Sequence, residues 1–216
     1  MLGLSLNKLK LLKRYANPFD MVHDGVMGMN QRNISYISRY NKRSLYPLVD
    51  NKLMTKHIAV EHMVNTPKLI GAIRDQHDIG NILEILGDHR EFCIKPAQGS
   101  GGKGIMVIKD RNDADGHFIK SSGEEVSLHD IDRHLTNILA GLFSLGGRPD
   151  IALIEELIHF DNVFSGFSYD GVPDTRVIVF KGFPIMCMMR LSTSASDGKA
   201  NLHQGAVGVG ICVRTG

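Results

Sequence analysis

The chain has 216 residues, of which 43% are hydrophobic, so it holds enough apolar material for the core of one or two domains. Its 25 basic and 23 acidic residues are spread along the chain and leave a net charge of +2, which argues against a nucleic-acid-binding or membrane-surface protein. No stretch approaches 18 consecutive apolar residues, so no membrane span is predicted.

The cysteines also indicate where the protein works. Cys93, Cys187 and Cys212 are odd in number, far apart and each set in an apolar run. Such cysteines are typical of buried, reduced thiols rather than disulfides, and the N-terminus lacks the continuous hydrophobic core of a signal peptide. A cytoplasmic location is therefore predicted.

The N-terminal part is predicted to be a helix followed by an irregular segment. Leucines recur at helical spacing from Leu2 to Leu12, which predicts an amphipathic helix over residues 2–16 that docks on this protein or on a partner rather than on a lipid surface. Residues 20–47 hold glycines and asparagines without a sustained period, and they predict an irregular lead-in with one helical turn near Tyr36.

The rest of the chain mixes helices and strands. Asp50 is predicted to cap a helix that runs to Met63, and Ser127 with Asp130 resembles a capping box. The other predicted elements are a strand at Lys68–Ile73, a helix at Asp78–Leu86, a linker at Asn112–Gly123, a helix at Ser127–Leu142, a strand at Ile151–Leu157, and strands at Thr175–Phe180 and Pro184–Leu191 that turn at Lys181-Gly182.

The most informative segment lies between Glu91 and Asp110. An apolar strand carries Lys95 and leads into a loop with four glycines in six positions, Gly99 to Gly104, which we call the glycine loop. Residues without a Cβ let the backbone approach a phosphate closely, and inward-pointing N–H groups bind anions. The loop is predicted to cover nucleotide phosphates with the following residues: Ser100, Gly101, Gly102, Lys103 and Gly104.

Three other phosphate-binding motifs fit less well. A dinucleotide-binding fingerprint opens a helix, but Ile105–Ile108 is β-prone, so the glycine loop is predicted to cap a hairpin. A P-loop fails because Ala97 replaces its first glycine and Gly104 replaces its Ser or Thr. A protein kinase is disfavoured because no D-F-G is present.

An ordered series of motifs then resembles the ATP-grasp superfamily, and within it the RimK-like alpha-L-glutamate ligase-related proteins. The likeness runs from about Val26 to Gly210 and rests on Asp50-Asn51-Lys52, Thr66-Pro67, Ile94-Lys95-Pro96 with the glycine loop, Ile154–Ile158, Asp174-Thr175-Arg176, Met189-Arg190 and Asn201-Leu202-His203.

The resemblance implies an α+β ATP-grasp fold in which two α+β lobes clasp a nucleotide. It implies an N-terminal lead-in over 1–48, a first lobe over 49–145 and a second lobe over 146–216. It also implies an ATP-dependent carboxylate–amine ligase that works through an acyl phosphate with Mg²⁺. The partners would be ATP, an amine such as an amino acid, and a carboxylate acceptor that is a peptide, a protein or a small molecule, with a homo-oligomer possible.

Nucleotide-binding residues follow from the same resemblance. Lys95 would place a charge on the α- or β-phosphate, although it could also be an ordinary strand-end lysine. Lys52 would be the earlier nucleotide lysine, with Lys56 as the other candidate. Glu155, Glu156, Leu157 and Ile158 would form the hinge that offers backbone groups to adenine, and one of the two glutamates could bind the ribose.

The later motifs supply the candidate catalytic groups. Asp174 and Arg176 lie two apart on a strand and face one side, where the aspartate could orient a guanidinium, meet substrate or form a surface ion pair. Arg190 is the leading catalytic candidate, because a fixed planar cation suits the transferring phosphoryl group. Lys199 and Asn201 occupy a triplet that contacts ATP in RimK-like ligases, and Asn201 is also a catalytic candidate.

The metal ligands of the family have no counterpart in this sequence. No Glu-x-Asn follows His203, and Gly205–Val213 contains no carboxylate, so the metal site within this chain is predicted to be absent. His129 and His134 are five residues apart, which is too divergent on a helix for a two-histidine metal site. The sequence thus predicts a truncated second lobe and weak activity in this form, and it leaves open a non-catalytic nucleotide- or partner-binding module.

Overall fold

The computed structural model describes residues 17–112, 116–159, 162–164, 166–169, 173–196 and 200–216. The predicted helix at 2–16 and the candidate Lys199 lie outside the described residues. The chain divides into two compact units, Met1–Thr66 and Pro67–Gly216, and each is described by itself. The domain boundaries expected at residues 48 and 145 stay a prediction.

The first unit is helical. Its α-helices are α1 (Pro18–His23), α2 (Met29–Arg32), α3 (Ser38–Tyr40), α4 (Pro47–Asp50) and α5 (Lys52–Glu61), with a π-helical turn at Asn33–Ile37 and a 3₁₀ turn at Arg43–Leu45. The predicted helical turn near Tyr36 is confirmed, because Tyr36 lies in the π-helical turn, but the prediction that the rest of residues 20–47 is irregular was wrong. Helices this short, interrupted by a π-turn that shifts the side-chain phase, leave no sustained 3.6-residue period in the sequence.

The cap of helix α5 lies one residue later than predicted. Asn51 Oδ1 accepts hydrogen bonds from the N–H groups of Leu53, at 3.0 Å, and of Met54, at 3.3 Å. Asp50 instead ends helix α4. Asp and Asn cap helices about equally well, so the sequence alone does not distinguish two neighbours of these types.

The second unit is built on a six-stranded antiparallel sheet with the strand order β1-β6-β2-β3-β4-β5. The strands are β1 (Leu69–Ile73), β2 (Phe92–Pro96), β3 (Met106–Asn112), β4 (His117–Lys120), β5 (Glu125–Val126) and β6 (Ala152–Glu155). The predicted hairpin around the glycine loop is confirmed, as are the strands at 68–73 and, over a shorter range, 151–157. The predicted linker at Asn112–Gly123 was wrong, because β4 lies within it.

Helices cover one face of this sheet. The predicted helix at Asp78–Leu86 is in fact two, α6 (Gln76–Gly80), capped by Asp75, and α7 (Ile82–Leu86), and α8 (Leu128–Leu139) is the third. Their apolar sides join the sheet in one core, whose fully buried large side chains include Ile73, Ile82, Leu86, Phe92, Ile94, Ile108, Phe118, Ile131, Leu135, Ile138 and Ile154. Within the described residues, no helix is both long and apolar enough to cross a membrane.

A separate three-stranded antiparallel sheet carries the later motifs. It has the order β7 (Asp174–Phe180), β8 (Phe183–Leu191) and β9 (Val207–Ile211). Lys181 and Gly182, with φ of 50° and 86°, form the predicted turn between β7 and β8. Two consecutive left-handed residues match the natural twist of a hairpin.

The predicted capping box of helix α8 is confirmed and gives a stability test. Ser127 and Asp130 exchange side-chain and backbone hydrogen bonds at the first turn. Replacing Ser127 by Ala is expected to lower the free energy of unfolding by about 1 kcal/mol, measured by urea denaturation. Thr136→Ala, an exposed change on the same helix, should alter it by less than about 0.5 kcal/mol.

The same cap should depend on pH. Hydrogen bonds from Ser127 hold the pKa of Asp130 below its usual value. The ionised Asp130 carboxylate therefore stabilises the fold above its unfolded-state pKa of about 4. This stabilisation is lost as the pH falls through the lowered pKa that Asp130 has in the folded state. The difference between wild type and Ser127→Ala should shrink in acid, and an unchanged difference would contradict the cap's role.

Candidate functional site

A buried carboxylate fixes the start of the glycine loop. Asp150, which is 5% exposed, accepts hydrogen bonds from the backbone N–H of Gln98, at 2.9 and 3.2 Å, and from that of Ile151, at 2.8 Å. Ala97 N–H donates to the Ile151 carbonyl at 2.8 Å. At Gly99 a Cβ would lie 2.2 Å from the Pro96 ring, so only glycine fits there.

The tip of the glycine loop is open. Gly101 and Gly102 have φ of 66° and 76°, and no atom lies within 4 Å of a Cβ built on either. In the part of the chain that the structure describes, their N–H groups donate no hydrogen bond. Ser100 through Lys103 are all exposed. Uncommitted backbone donors on a positive-φ turn are the groups that bind anions in proteins.

The end of the glycine loop is fixed by helix α8 and the segment that follows it. His134 Nε2 lies 3.0 Å from the Gly104 carbonyl oxygen, and the imidazole ring lies 5.6 Å from the Phe143 ring. Gly104 has a φ of 73°, and a Cβ there would lie 2.6 Å from the Phe143 ring. Burial lowers the pKa of His134, an effect that the hydrogen bond to Gly104 opposes and the charge of Lys120 reinforces.

Lys95 forms an ion pair on the sheet face opposite the helices. Lys95 and Leu153 are directly paired across β2 and β6, and the Lys95 ammonium contacts the Glu155 carboxylate. The Glu155 side chain is 3% exposed and that of Lys95 is 23% exposed. Burial raises the pKa of the neighbouring Cys93 thiol. The positive charge of Lys95 opposes this rise in pKa, and the negative charge of Glu155 adds to it. Glu155 therefore holds Lys95 beside the start of the glycine loop.

The predicted hinge residues differ in their surroundings. Glu156 N–H donates to the Lys68 carbonyl at 3.0 Å, and its carboxylate lies 3.5 Å from Lys68 Nζ and 3.9 Å from His89 Nε2. Leu157 is half-buried and Ile158 is exposed. Of the two glutamates proposed for the ribose, Glu155 is buried against Lys95, whereas Glu156 is 44% exposed.

The small sheet brings together two of the predicted residues. Asp174 and Arg190 are directly opposite on β7 and β8, and the guanidinium donates a bidentate pair of hydrogen bonds to the carboxylate. This contact raises the pKa of Arg190 further. Arg176 is opposite Met188 and exposed. Asp174 thus orients Arg190, a pairing that spacing along the sequence did not reveal.

Two further candidates have local partners. Asn201 Nδ2 donates to Gln204 Oε1 at 3.2 Å, and the Asn201 carbonyl accepts from the N–H groups of Gln204 and Ala206. Lys56 is 6% exposed and donates to Thr66 Oγ1 at 3.4 Å, whereas Lys52, in the same first unit, is half-buried at the start of helix α5. Their roles toward a nucleotide stay predictions.

Asp150 and His134 are site residues that sequence reasoning missed. Asp150 lies 52 residues beyond Gln98, and His134 lies 30 residues beyond Gly104. No local pattern links such distant positions, because the connection is made only when β6 and helix α8 pack on the hairpin. Asp150 immediately before a predicted strand was the one available signal, since a carboxylate there can accept backbone N–H groups.

The family comparison covers most of the chain. Residues 31–216 match the model of a protein family described as sugar-transfer associated ATP-grasp. No curated protein matches the chain. The two antiparallel sheets and the glycine loop between β2 and β3 are consistent with that fold.

The ion pair between Lys95 and Glu155 leads to a test of stability. Lys95→Met leaves a buried carboxylate without this cation, so the free energy of unfolding should fall by about 2–3 kcal/mol. The expected loss of unfolding free energy is at the low end for a buried ion pair because the Lys95 side chain is 23% exposed. Urea denaturation should show the loss.

Two further variants make the test specific. Combining Lys95→Met with Glu155→Gln should recover much of the stability, since the charge of the buried carboxylate is removed as well. Lys109→Met, an exposed change on the neighbouring strand β3, is the matched control and should have little effect. A single Lys95→Met variant as stable as wild type would show that Glu155 does not depend on Lys95.

Proposed function

Because the chain belongs to the sugar-transfer associated ATP-grasp family, we propose that it is an ATP-dependent ligase that joins a carboxylate to an amine. Membership of this family indicates ATP binding and ligase-like function in general. The choice of a carboxylate and an amine, and of glutamate in particular, comes from the resemblance of the motifs to RimK-like proteins.

The open glycine loop is the observation that carries the proposal. Its ends are fixed, its tip is exposed, and a strand-borne lysine stands at its start. Phosphate groups need backbone N–H donors and nearby cations, and both are provided here. Lys95 and Lys103 would supply the charge, while Gly101 and Gly102 would supply the N–H groups.

In the proposed reaction, the carboxylate attacks the γ-phosphorus of ATP, and the bond to the β-phosphate oxygen breaks to release ADP. The amine then attacks the acyl carbon, phosphate leaves, and loss of a proton from nitrogen gives the amide. Both steps develop negative charge on phosphoryl or carbonyl oxygens. Fixed cations and N–H donors stabilise that charge.

Arg190 is the residue we assign to that charge. Its side chain is only 14% exposed and is oriented by Asp174, so the guanidinium is held in one direction rather than moving freely in solvent. A guanidinium with one edge on a carboxylate still has N–H donors to offer to phosphate. Asn201 would add an amide donor, and Arg176 and Lys199 further positive charge.

The described residues form no cluster that would hold a Mg²⁺ ion by itself. Among them, no group of three or more His, Cys, Asp or Glu side chains could hold a metal. No step of the proposed mechanism is therefore assigned to a metal. The second candidate function is a nucleotide- or partner-binding module without catalysis.

The description of the family suggests the class of acceptor. Its proteins are associated with sugar transfer, and some modified sugars carry one of the two groups that such a ligase joins. A uronic acid offers a carboxylate, and an amino sugar offers an amine. We therefore propose that both kinds of sugar are candidate substrates, and the compounds tested should include them beside amino acids and peptides.

Nucleotide binding is the first test. Isothermal calorimetry with ATP should show binding to the wild type and at least tenfold weaker binding to the double variant Lys95→Met/Glu155→Gln, which loses the cation without leaving a buried charge. Lys109→Met serves as control and should bind normally. Equal affinity of wild type and double variant would remove Lys95 from the site.

Catalysis is the second test, and it separates the two candidate functions. With Mg²⁺ and a panel of carboxylates and amines, wild type should release ADP, and Arg190→Met should lower the rate by about a hundredfold or more. Because Asp174 is 45% exposed, the loss of its ion pair in Arg190→Met should barely change the free energy of unfolding.

The exposed Arg74→Met is the matched control for catalysis and should keep wild-type rates. If wild type binds ATP but releases no ADP with any pair of substrates, the ligase proposal fails and the binding module is supported.

A further inference from the structure

The glycine loop is held at its far end by side chains that belong to no recognised motif. His134 bonds to the Gly104 carbonyl oxygen at 3.0 Å, and Phe143 occupies the space where a Gly104 side chain would lie. The imidazole and phenyl rings also contact each other. Gly104 is thus fixed both by a hydrogen bond and by an aromatic contact.

His134 is itself carried on a rigid element. Its helix is capped by Ser127 and Asp130, and the neighbouring Ile131, Leu135 and Ile138 are fully buried against the sheet. A side chain on such a helix holds its position far better than one on a loop. The exposed tip has no packing of its own, so its direction is set by its two fixed ends.

We propose that His134 is a positioning residue, which orients the exposed N–H groups of the glycine loop for the phosphates of a nucleotide. The inference rests on the proposed function, because it assigns His134 to the same ATP site. An anchored loop loses less conformational freedom on binding, and this strengthens affinity without any contact between His134 and the ligand.

The role requires an N–H donor at Nε2 rather than a positive charge. Neutral imidazole in the Nε2–H tautomer donates to the Gly104 carbonyl, and protonated imidazole donates in the same way. A glutamine side chain also carries an N–H donor, whereas phenylalanine keeps an aromatic ring against Phe143 but cannot donate. The two substitutions therefore separate the hydrogen bond from the aromatic contact.

The experiment compares His134→Phe and His134→Gln with wild type by two measurements. Hydrogen exchange without nucleotide should be about fivefold faster in His134→Phe at the amide of Lys103, which donates to the Ser100 carbonyl at 3.3 Å within the loop, as expected for the loosening caused by one lost hydrogen bond. The calorimetric Kd for ATP should rise by a similar factor. His134→Gln should restore both values to near those of wild type.

His129→Phe is the matched control, because His129 is exposed on the same helix. It should change neither measurement. If His134→Phe does not fold, Phe143→Leu tests the same anchor from the other side and should also speed exchange at the Lys103 amide. Unchanged exchange and affinity in a folded His134→Phe or Phe143→Leu would overturn the proposal, as would faster exchange with unchanged ATP affinity.

The measurements also distinguish this inference from the proposed function. If wild type binds no ATP, the proposed function fails, and with it the assignment of His134 to a nucleotide site. If wild type binds ATP but the His134 variants bind equally well, only the inference about His134 fails.

Discussion

The arrangement of the candidate site depends on the pairing of strand β6 between β1 and β2. The four residues of β6 are all buried and come from a part of the chain more than 50 residues beyond the two strands that they join. Their insertion brings Asp150 to the backbone of Gln98 and Glu155 to the side chain of Lys95. Without this pairing, neither the start of the glycine loop nor its lysine would have a fixed position.

Stability and binding make opposite demands on this region. Burying Glu155 is unfavourable unless a cation neutralises it, and Lys95 supplies that cation on the same face of the sheet. A nucleotide would compete with Glu155 for the same ammonium group, which remains 23% exposed. The carboxylate therefore orients the lysine and, under the proposed function, would limit how strongly the lysine binds phosphate.

Much of the second unit could be predicted from the sequence. The alternation of Phe92, Ile94 and Pro96 with half-buried neighbours, the glycine loop and the capping box at Ser127 are local patterns, and local patterns report local structure. The prediction failed at β4, where a short strand follows the hairpin without a clear period. It failed also in the first unit, where helices of three to six residues leave no pattern to read.

The contacts around the site could not be predicted in the same way. Spacing placed Asp174 beside Arg176, but the ion pair forms with Arg190 because the two strands are antiparallel and put those residues opposite each other. The spacing of His134 from His129 argued against a metal site, but this spacing says nothing about a hydrogen bond to Gly104. Such contacts depend on strand register and on packing, and neither can be derived from a single sequence.

The four glycines of the glycine loop meet two different needs, and this affects how the segment can evolve. Gly101 and Gly102 are required by backbone handedness alone, Gly99 by the space that Pro96 fills, and Gly104 by both its backbone handedness and the Phe143 ring. Residues that tolerate a left-handed backbone, such as asparagine, could replace the first two without any accompanying change. At position 104 the same replacement needs a smaller residue at position 143. Substitutions at positions 104 and 143 are therefore expected to occur together in related sequences.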